Sequence, residues 1–209
     1  MDEYHKIQTV FKREPNTNYK TLIYGDYSLP EFEYLKDNFW VFTEKVDGTN
    51  IRIGWDMENV KIGGKTDNAQ LHIELIEELQ ILFPVEKFKE LYPETPMTLY
   101  GEGYGAGIQK GGKYSQKKSF VLFDILINGF WLNRENVADI AEKLGIQVVP
   151  IIGIGNVHNM IKVVESGMKS QWGDFIAEGI VARPRVELFD KKGHRIITKL
   201  KHKDFMRGA

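Results

Sequence analysis

Apolar and polar positions change their spacing several times along the chain, and each change marks an element. In "NFWVFTEKV" (38 to 46) and "TNIRIGWD" (49 to 56) β-branched and aromatic residues dominate runs of strand length, the pattern of two β-strands, and Asp47-Gly48 between them is a short hairpin signal. "VKIGG" adds a third strand. In "NAQLHIELIEELQILF" the leucines Leu71, Leu75, Leu79 and Leu82 recur at helical spacing, which predicts an amphipathic helix ending near Pro84. "MTLYGEG" and "SFVLFDILI" read as strands on either side of a lysine- and glycine-rich loop, and Asn128-Gly129 turns the second back into "FWL". "NRENVADIAEKLG" has an Asn133 cap and a Gly145 stop, so it reads as a short surface helix. "VVPIIGI" is a strand candidate and "NVHNMIKVVESGM" a helix, while "EGIVARP" and "HRIITKLK" are strands parted by a Lys-Lys-Gly turn. No repeat and no low-complexity linker interrupts the series, which predicts one mixed α+β domain over residues 1–209, dominated by antiparallel pairs.

Composition narrows the chemistry. The 209 residues include no cysteine, which removes disulfides, Cys-ligated zinc and thiol nucleophiles together. The first residues, "MDEYHKIQTVFKRE", are too polar for a secretory signal, and no apolar run approaches the roughly 18 residues of a membrane span; a cytoplasmic location is expected. A net charge of −1 argues against nucleic-acid binding only if charge is spread evenly. It is not: 74 to 94 is rich in acids, "IQKGGKYSQKKS" (108 to 119) holds four lysines and no acid, and the tail after Asp190 is dominated by Lys and Arg. Such local patches attract phosphates under a neutral total.

Two phosphate-binding patterns fail on context. Gly64-Lys65-Thr66 matches the end of a Walker loop, but Asn59 stands where its first glycine belongs. "YGEGYGA" places Gly101, Gly103 and Ala106 as in a dinucleotide fingerprint, yet "AGIQKGGKYSQ" behind it is loop and offers no helix N-terminus to a pyrophosphate.

The stretch "TEKVDGTNIRI" (43 to 53) poses a sharper question, because a turn needs no lysine at the end of its strand. A lysine amine is a nucleophile only when neutral, so a catalytic lysine needs burial or neighbouring cations to lower its pKa from about 10.4. Gly48 is expected to supply positive φ and to leave room for a ligand beside the chain. On this stretch alone, an exposed hairpin lysine is an equal alternative. Four further segments bear on it: "YGEGYG" with Glu102 at a strand end, "FVLFDIL" with Phe123 and Asp124, "AEGIVAR" with Glu178 before an apolar strand, and "ITKLKHKDF" with Lys199 and Lys201. Residues two apart in a strand share a face, so both lysines point one way and form an anion-seeking pair.

In order and spacing these five segments resemble the motifs of the covalent nucleotidyltransferase superfamily of polynucleotide ligases and mRNA-capping enzymes. "KVDG" looks like the K-x-D-G lysine motif, and the later segments look like motifs III, IIIa, IV and V, over Thr43 to Lys201. DNA ligases and capping enzymes usually carry Arg five residues after the lysine; Asn50 stands there in this sequence. K-x-x-G-x-N is similar to ATP-dependent RNA ligases that seal nicks in duplex RNA.

The resemblance implies an ATP-grasp-like nucleotidyltransferase domain, with antiparallel sheets, peripheral helices and a nucleotide groove between them. It implies a ligase that joins 3′-hydroxyl and 5′-phosphate RNA ends through a lysyl-AMP on Lys45 and an RNA-adenylate. Lys199 and Lys201 would hold the α-phosphate of ATP and help lower the pKa of Lys45. Glu178 would bind the divalent ion, Mg²⁺ or Mn²⁺, since hard ions prefer oxygen ligands. Glu102 would accept hydrogen bonds from the ribose, Phe123 would stack on adenine, Glu44 matches an adenine-contacting position, and Asn50 would orient phosphate or water. Lys65 lies where relatives commonly carry an arginine; it supplies the charge without the bidentate fork. Asp47 reads as a turn residue, and the Lys110, Lys113, Lys117 and Lys118 loop reads equally as an RNA-backbone contact or as a solvated flexible loop. Little follows Lys201, so no separate C-terminal nucleic-acid-binding domain is expected. The alternatives are a DNA ligase or capping-type guanylyltransferase, and an RNA-binding module without catalysis.

Overall fold

A computed structural model describes residues 1–206 of the protein. Along the chain run β1 (Gln8–Thr9), β2 (Phe11–Arg13), β3 (Leu22–Tyr27), α1 (Pro30–Tyr34), β4 (Trp40–Lys45), β5 (Thr49–Trp55) and β6 (Val60–Gly63). Then come α2 (Ile73–Leu82), α3 (Val85–Leu91), β7 (Met97–Tyr104), β8 (Ser119–Ile127), β9 (Phe130–Trp131) and α4 (Arg134–Leu144). β10 (Gln147–Val148), β11 (Ile151–Gly155), α5 (Val157–Glu165), β12 (Gly179–Pro184) and β13 (Thr198–Lys201) complete the series. The result is a mixed α+β fold with several sheets, mostly antiparallel; β1 with β13 and β10 with β8 are parallel. None of its described helices is long and apolar enough to cross a membrane.

The chain forms two compact units. The first comprises Met1–His5 and Val46–Val149 and is built on a six-stranded sheet of order β10-β8-β7-β5-β6, with β9 paired to β8. Ile51 and Ile53 of β5, Leu99 of β7, Leu122 and Ile125 of β8, Leu75 and Leu79 of α2 and Leu144 of α4 are fully buried in one cluster; each such side chain contributes about 1.5–3 kcal/mol on leaving water. The helical spacing of Leu75 and Leu79 is thus a core stripe, though the helix begins only at Ile73. After Pro84 the chain starts the separate helix α3, which buries Phe88. α4 is capped as its sequence predicts: Asn133 Oδ1 accepts from the Asn136 amide at 2.8 Å, and Gly145 ends the helix at φ 65°. Asn128 and Gly129 both take positive φ (49° and 82°) in the β8–β9 turn, the two-residue hairpin geometry.

The second unit comprises Lys6–Lys45 and the chain from Pro150 onward. Its five-stranded sheet has the order β1-β13-β12-β4-β11, and β2 and β3 form a separate pair. Trp40, Phe32, Met160, Val164, Ile180 and Leu200 are fully buried in its core. α5 begins with a reciprocal cap in which the Asn156 and Asn159 side chains each accept from the other's amide, at 2.9 and 3.0 Å.

Two expectations are corrected here. Strands β4 and β5 do not form a hairpin: β4 pairs with β12 and β11, and β5 with β7 and β6. The Val46–Gly48 stretch carries the chain from one sheet into another. "VVPIIGI" likewise divides, because Val149-Pro150 separates β10 in the first unit from β11 in the second.

Candidate active site

Strand register brings distant residues of the second unit into one row. Gly179, which opens β12, is paired with Lys45 on one side and with Lys201 on the other. Glu178 immediately precedes it, and its backbone is fixed by the His202 amide, which donates to the Glu178 carbonyl at 2.9 Å. From there the Glu178 carboxylate reaches both neighbouring strands: Oε2 accepts from Lys45 Nζ at 2.7 Å and Oε1 from Lys201 Nζ at 2.5 Å. Gly179 is required at this crossing. Its φ is 154°, and a Cβ there would run into the Leu200 carbonyl and stand 2.8 Å from Lys201 Cα.

The electrostatics follow from this placement. Burial by itself would push the Glu178 carboxyl up, but the ammonium groups of Lys45 and Lys201 outweigh it and hold the group below its ordinary value. Lys199 is lowered, first by burial and then by the cations Lys201, Lys45 and Arg13. Lys199 and Lys201 alternate with the buried Thr198 and Leu200, so the shared face read from their spacing is present. One carboxylate bridging two amines, with a third amine whose charge is already disfavoured, is an arrangement that a polyanion such as a phosphate chain can stabilise.

Glu44 precedes Lys45 on β4, and its side chain is 1% exposed. Its carboxylate accepts from Ser170 Oγ at 2.6 Å and from the Gln171 amide at 2.8 Å. Burial raises its pKa against both hydrogen bonds. The carboxylate therefore anchors the segment leading to Glu178. No motif marks Ser170, Gln171 or Arg13; each acts through position in the fold, which a lone polar residue in a sequence does not reveal.

The remaining predicted residues lie in the first unit. Asn50 and Glu102 are directly opposite on β5 and β7. Glu102 Oε1 accepts from the Gly48 amide at 3.1 Å, and Asn50 Oδ1 is buried without a hydrogen-bond partner. Gly48 is not among the positive-φ glycines, which corrects the reason expected for it. A Cβ at Gly48 would overlap the Gly103 carbonyl and lie 3.0 Å from Glu102 Cγ, so close approach of β7 demands the glycine. Phe123 sits where the β7–β8 register slips; it is half-buried, with Tyr4 edge-on at 4.9 Å. The Tyr4 hydroxyl donates to Asp124 at 2.5 Å. Lys65 is exposed in the loop after β6, and Asp47 lies in the connection after β4.

A family model described as RNA ligase matches residues 38–201. The chain belongs to the RNA ligase family, whose members are nucleotidyltransferase-type ligases. Solved structures of Naegleria gruberi RNA ligase share the fold. A mutant without ligand superposes with a TM-score of 0.68 at 15% identity, over 98% of this chain and 58% of that one. Mutants bound to AMP and Mn, and to ATP and Mn, each give 0.71 at 15% and 16% identity, over 96% of this chain and 56% of theirs. The chain thus spans 56 to 58% of the length of these relatives. Comparison with curated protein sequences finds no match.

Proposed function

We propose that this chain is the self-adenylylating part of an ATP-dependent RNA ligase of the kind that seals nicks in duplex RNA. The Lys45 amine attacks the α-phosphorus of ATP; a P–N bond forms, the α–β phosphoanhydride bond breaks, pyrophosphate leaves and the amine loses a proton. A 5′-phosphate oxygen of the RNA then attacks that phosphorus, freeing Lys45 and forming RNA-adenylate. Finally the 3′-hydroxyl attacks the 5′-phosphorus, the phosphodiester forms and AMP departs. Covalent catalysis divides one hard condensation into easier displacements.

The observation that carries this reading is the row of Lys45, Glu178 and Lys201, with Glu178 joined to both amines at 2.7 and 2.5 Å. Lys201 and Lys199 supply positive charge where the α-phosphate would carry negative charge. Lys199 is poised for this, because a cation whose charge is disfavoured by burial and by neighbouring cations gains most from an anion. Glu102 and Phe123 are proposed to meet ribose and adenine. Glu44 is proposed to serve the adenine end by holding the Ser170-Gln171 segment, and Lys65 to contact nucleotide or RNA phosphate as a point charge.

A divalent ion fits Glu178. No cluster of three His, Asp or Glu suited to a metal occurs among the described residues, and Mg²⁺ commonly takes one or two carboxylates, completing its shell with water and phosphate oxygens. The orphaned Asn50 Oδ1 is an acceptor in want of a donor, as a bound water or sugar hydroxyl would provide. When bound, the ion would neutralise charge on phosphate oxygens as a Lewis acid.

The test is incubation with α-labelled ATP or GTP and Mg²⁺ or Mn²⁺, followed by denaturing electrophoresis. Label from ATP should stay on the protein and vanish in Lys45→Ala; label from GTP alone would make it a guanylyltransferase. Nicked RNA should be sealed in preference to nicked DNA. Retention of RNA with no covalent nucleotide under any condition would leave only an RNA-binding module.

A further inference from the structure

The lysine-rich loop between β7 and β8 has the form of a built surface. We infer that Lys110, Lys113 and Lys117 make it a docking platform for the phosphate backbone of the RNA substrate, an inference that rests on the ligase reading above. From Gly103 to Ser119 the sequence has no acidic residue, so the segment itself offers a polyanion only positive charge; the nearby Glu74 carboxylate is paired with Lys118. Bare charge of this kind on a mobile loop is usually solvated, and the decisive observations concern how the loop is held.

Its spine is buried. Ile108 is 4% exposed and belongs to the core cluster of the first unit. Turn hydrogen bonds run from the Gly111 amide to the Ile108 carbonyl (2.7 Å), from Lys113 to Lys110 (3.2 Å) and from Tyr114 to Gly111 (2.9 Å). Gly111 is buried so closely that a Cβ would stand 2.6 Å from the Gly105 nitrogen and 3.4 Å from the Asp47 carbonyl oxygen. The loop is thus laid against the turn that follows Lys45. Tyr114 packs edge-on to Tyr104 with centroids 6.0 Å apart.

The four lysines differ in exposure. Lys118 is spent on fastening the far end: it pairs with Glu74 at 3.2 Å and donates to the Ala106 carbonyl, with its side chain 10% exposed. Lys110, Lys113 and Lys117 are exposed. A scaffold already ordered loses less entropy when it binds, and lysines act on phosphates as point charges without reading sequence. That suits an enzyme that must accept RNA ends of any sequence.

The triphosphate of ATP offers the same chemistry, so the test separates the two sources. The variant Lys110→Gln/Lys113→Gln/Lys117→Gln is compared with a control of equal charge change, Lys36→Gln/Lys89→Gln/Lys162→Gln, and with wild type. Binding to a nicked RNA duplex is measured across a salt series, alongside self-adenylylation. The loop variant should lower the slope of log affinity against log salt by about 2 to 3, one phosphate per lysine, and should raise the KM for RNA while leaving the KM for ATP and the self-adenylylation rate unchanged. The control should behave as wild type. An unchanged slope, or an equal loss in the control, overturns the platform. A raised KM for ATP assigns the lysines to the triphosphate and also overturns it. If wild type forms no adenylate at all, the ligase reading fails, and the salt slopes still report separately on the loop.

Discussion

Replacing Glu178 by glutamine tests the site as an electrostatic unit. The substitution keeps the volume and removes the charge that compensates Lys45 and Lys201. Both lysine side chains are about one-fifth exposed (21% and 22%) and the Glu178 side chain is 13% exposed, so solvent screens the loss only in part. A charge-assisted hydrogen bond contributes about 1.5–3 kcal/mol, and breaking a well-buried ion pair costs about 3–5 kcal/mol. With two pairs lost and partial exposure, Glu178→Gln should destabilise the second unit by about 2–4 kcal/mol. The pH dependence has a definite sign. Because Glu178 is held below its ordinary value, its stabilisation is present above the unfolded carboxylate pKa of about 4.3 and is lost as pH falls through the folded value. Thermal unfolding followed by circular dichroism from pH 7 down to pH 3 should therefore show the gap between wild type and variant closing in acid. Adding Lys201→Met to Glu178→Gln should cost less than the sum of the two single changes, since an unpaired cation is removed. A variant with wild-type stability at neutral pH, or a gap that widens in acid, would refute the reasoning.

Two smaller perturbations probe the neighbouring structure. Glu44→Gln leaves one of the Ser170 and Gln171 donors facing an amide nitrogen, so amide exchange in the segment before Glu178 should quicken. Since burial raises the Glu44 pKa, wild type loses stability as pH rises above about 4.3 through the folded value, and the variant should lack that component; urea unfolding across pH 4–7 with a constant difference between the two proteins would count against it. Gly48→Ala forces a methyl against the Gly103 carbonyl and Glu102, which should cost about 1–3 kcal/mol and raise the KM for ATP with little change in the mass of protein folded; wild-type kinetics and melting would show that close approach is not why the glycine is there.

Much of the fold is legible because local pattern and local chemistry agree. Asn133 and Gly145 bracket α4, Asn128-Gly129 closes the β8–β9 turn, and the leucine spacing of α2 becomes a buried stripe. Partnership between strands is a different kind of information. The alternation in "NFWVFTEKV" and "TNIRIGWD" predicts strands correctly, but two strands joined by Asp-Gly form a hairpin only if the chain reverses within one sheet. Here the packing of Ile51 and Ile53 in one core and of Trp40 and Phe42 in another overrides the turn signal. The short β1 and β2 escape a periodicity reading because two or three residues show no pattern, and β1 is held by the distant β13. The six-residue β3, which pairs with β2, carries Gly25 and Asp26 in its middle, residue types depleted in strands, so its composition hides it.

The site divides along the same line. Spacing alone shows that Lys199 and Lys201 share a face, because that depends on one strand. That Lys45 and Lys201 flank one carboxylate depends on β12 lying between β4 and β13 in a register that sets Gly179 opposite both. A slip of one residue would turn Glu178 to the other face and separate the amines. The Gly179 backbone, admissible only without a side chain, ties that register to the sequence. The glycine after Glu178 is therefore as much a part of the candidate site as the charged residues. Any side chain placed there must either push β13 away or shift the row, and in both cases the carboxylate can keep one lysine but not two.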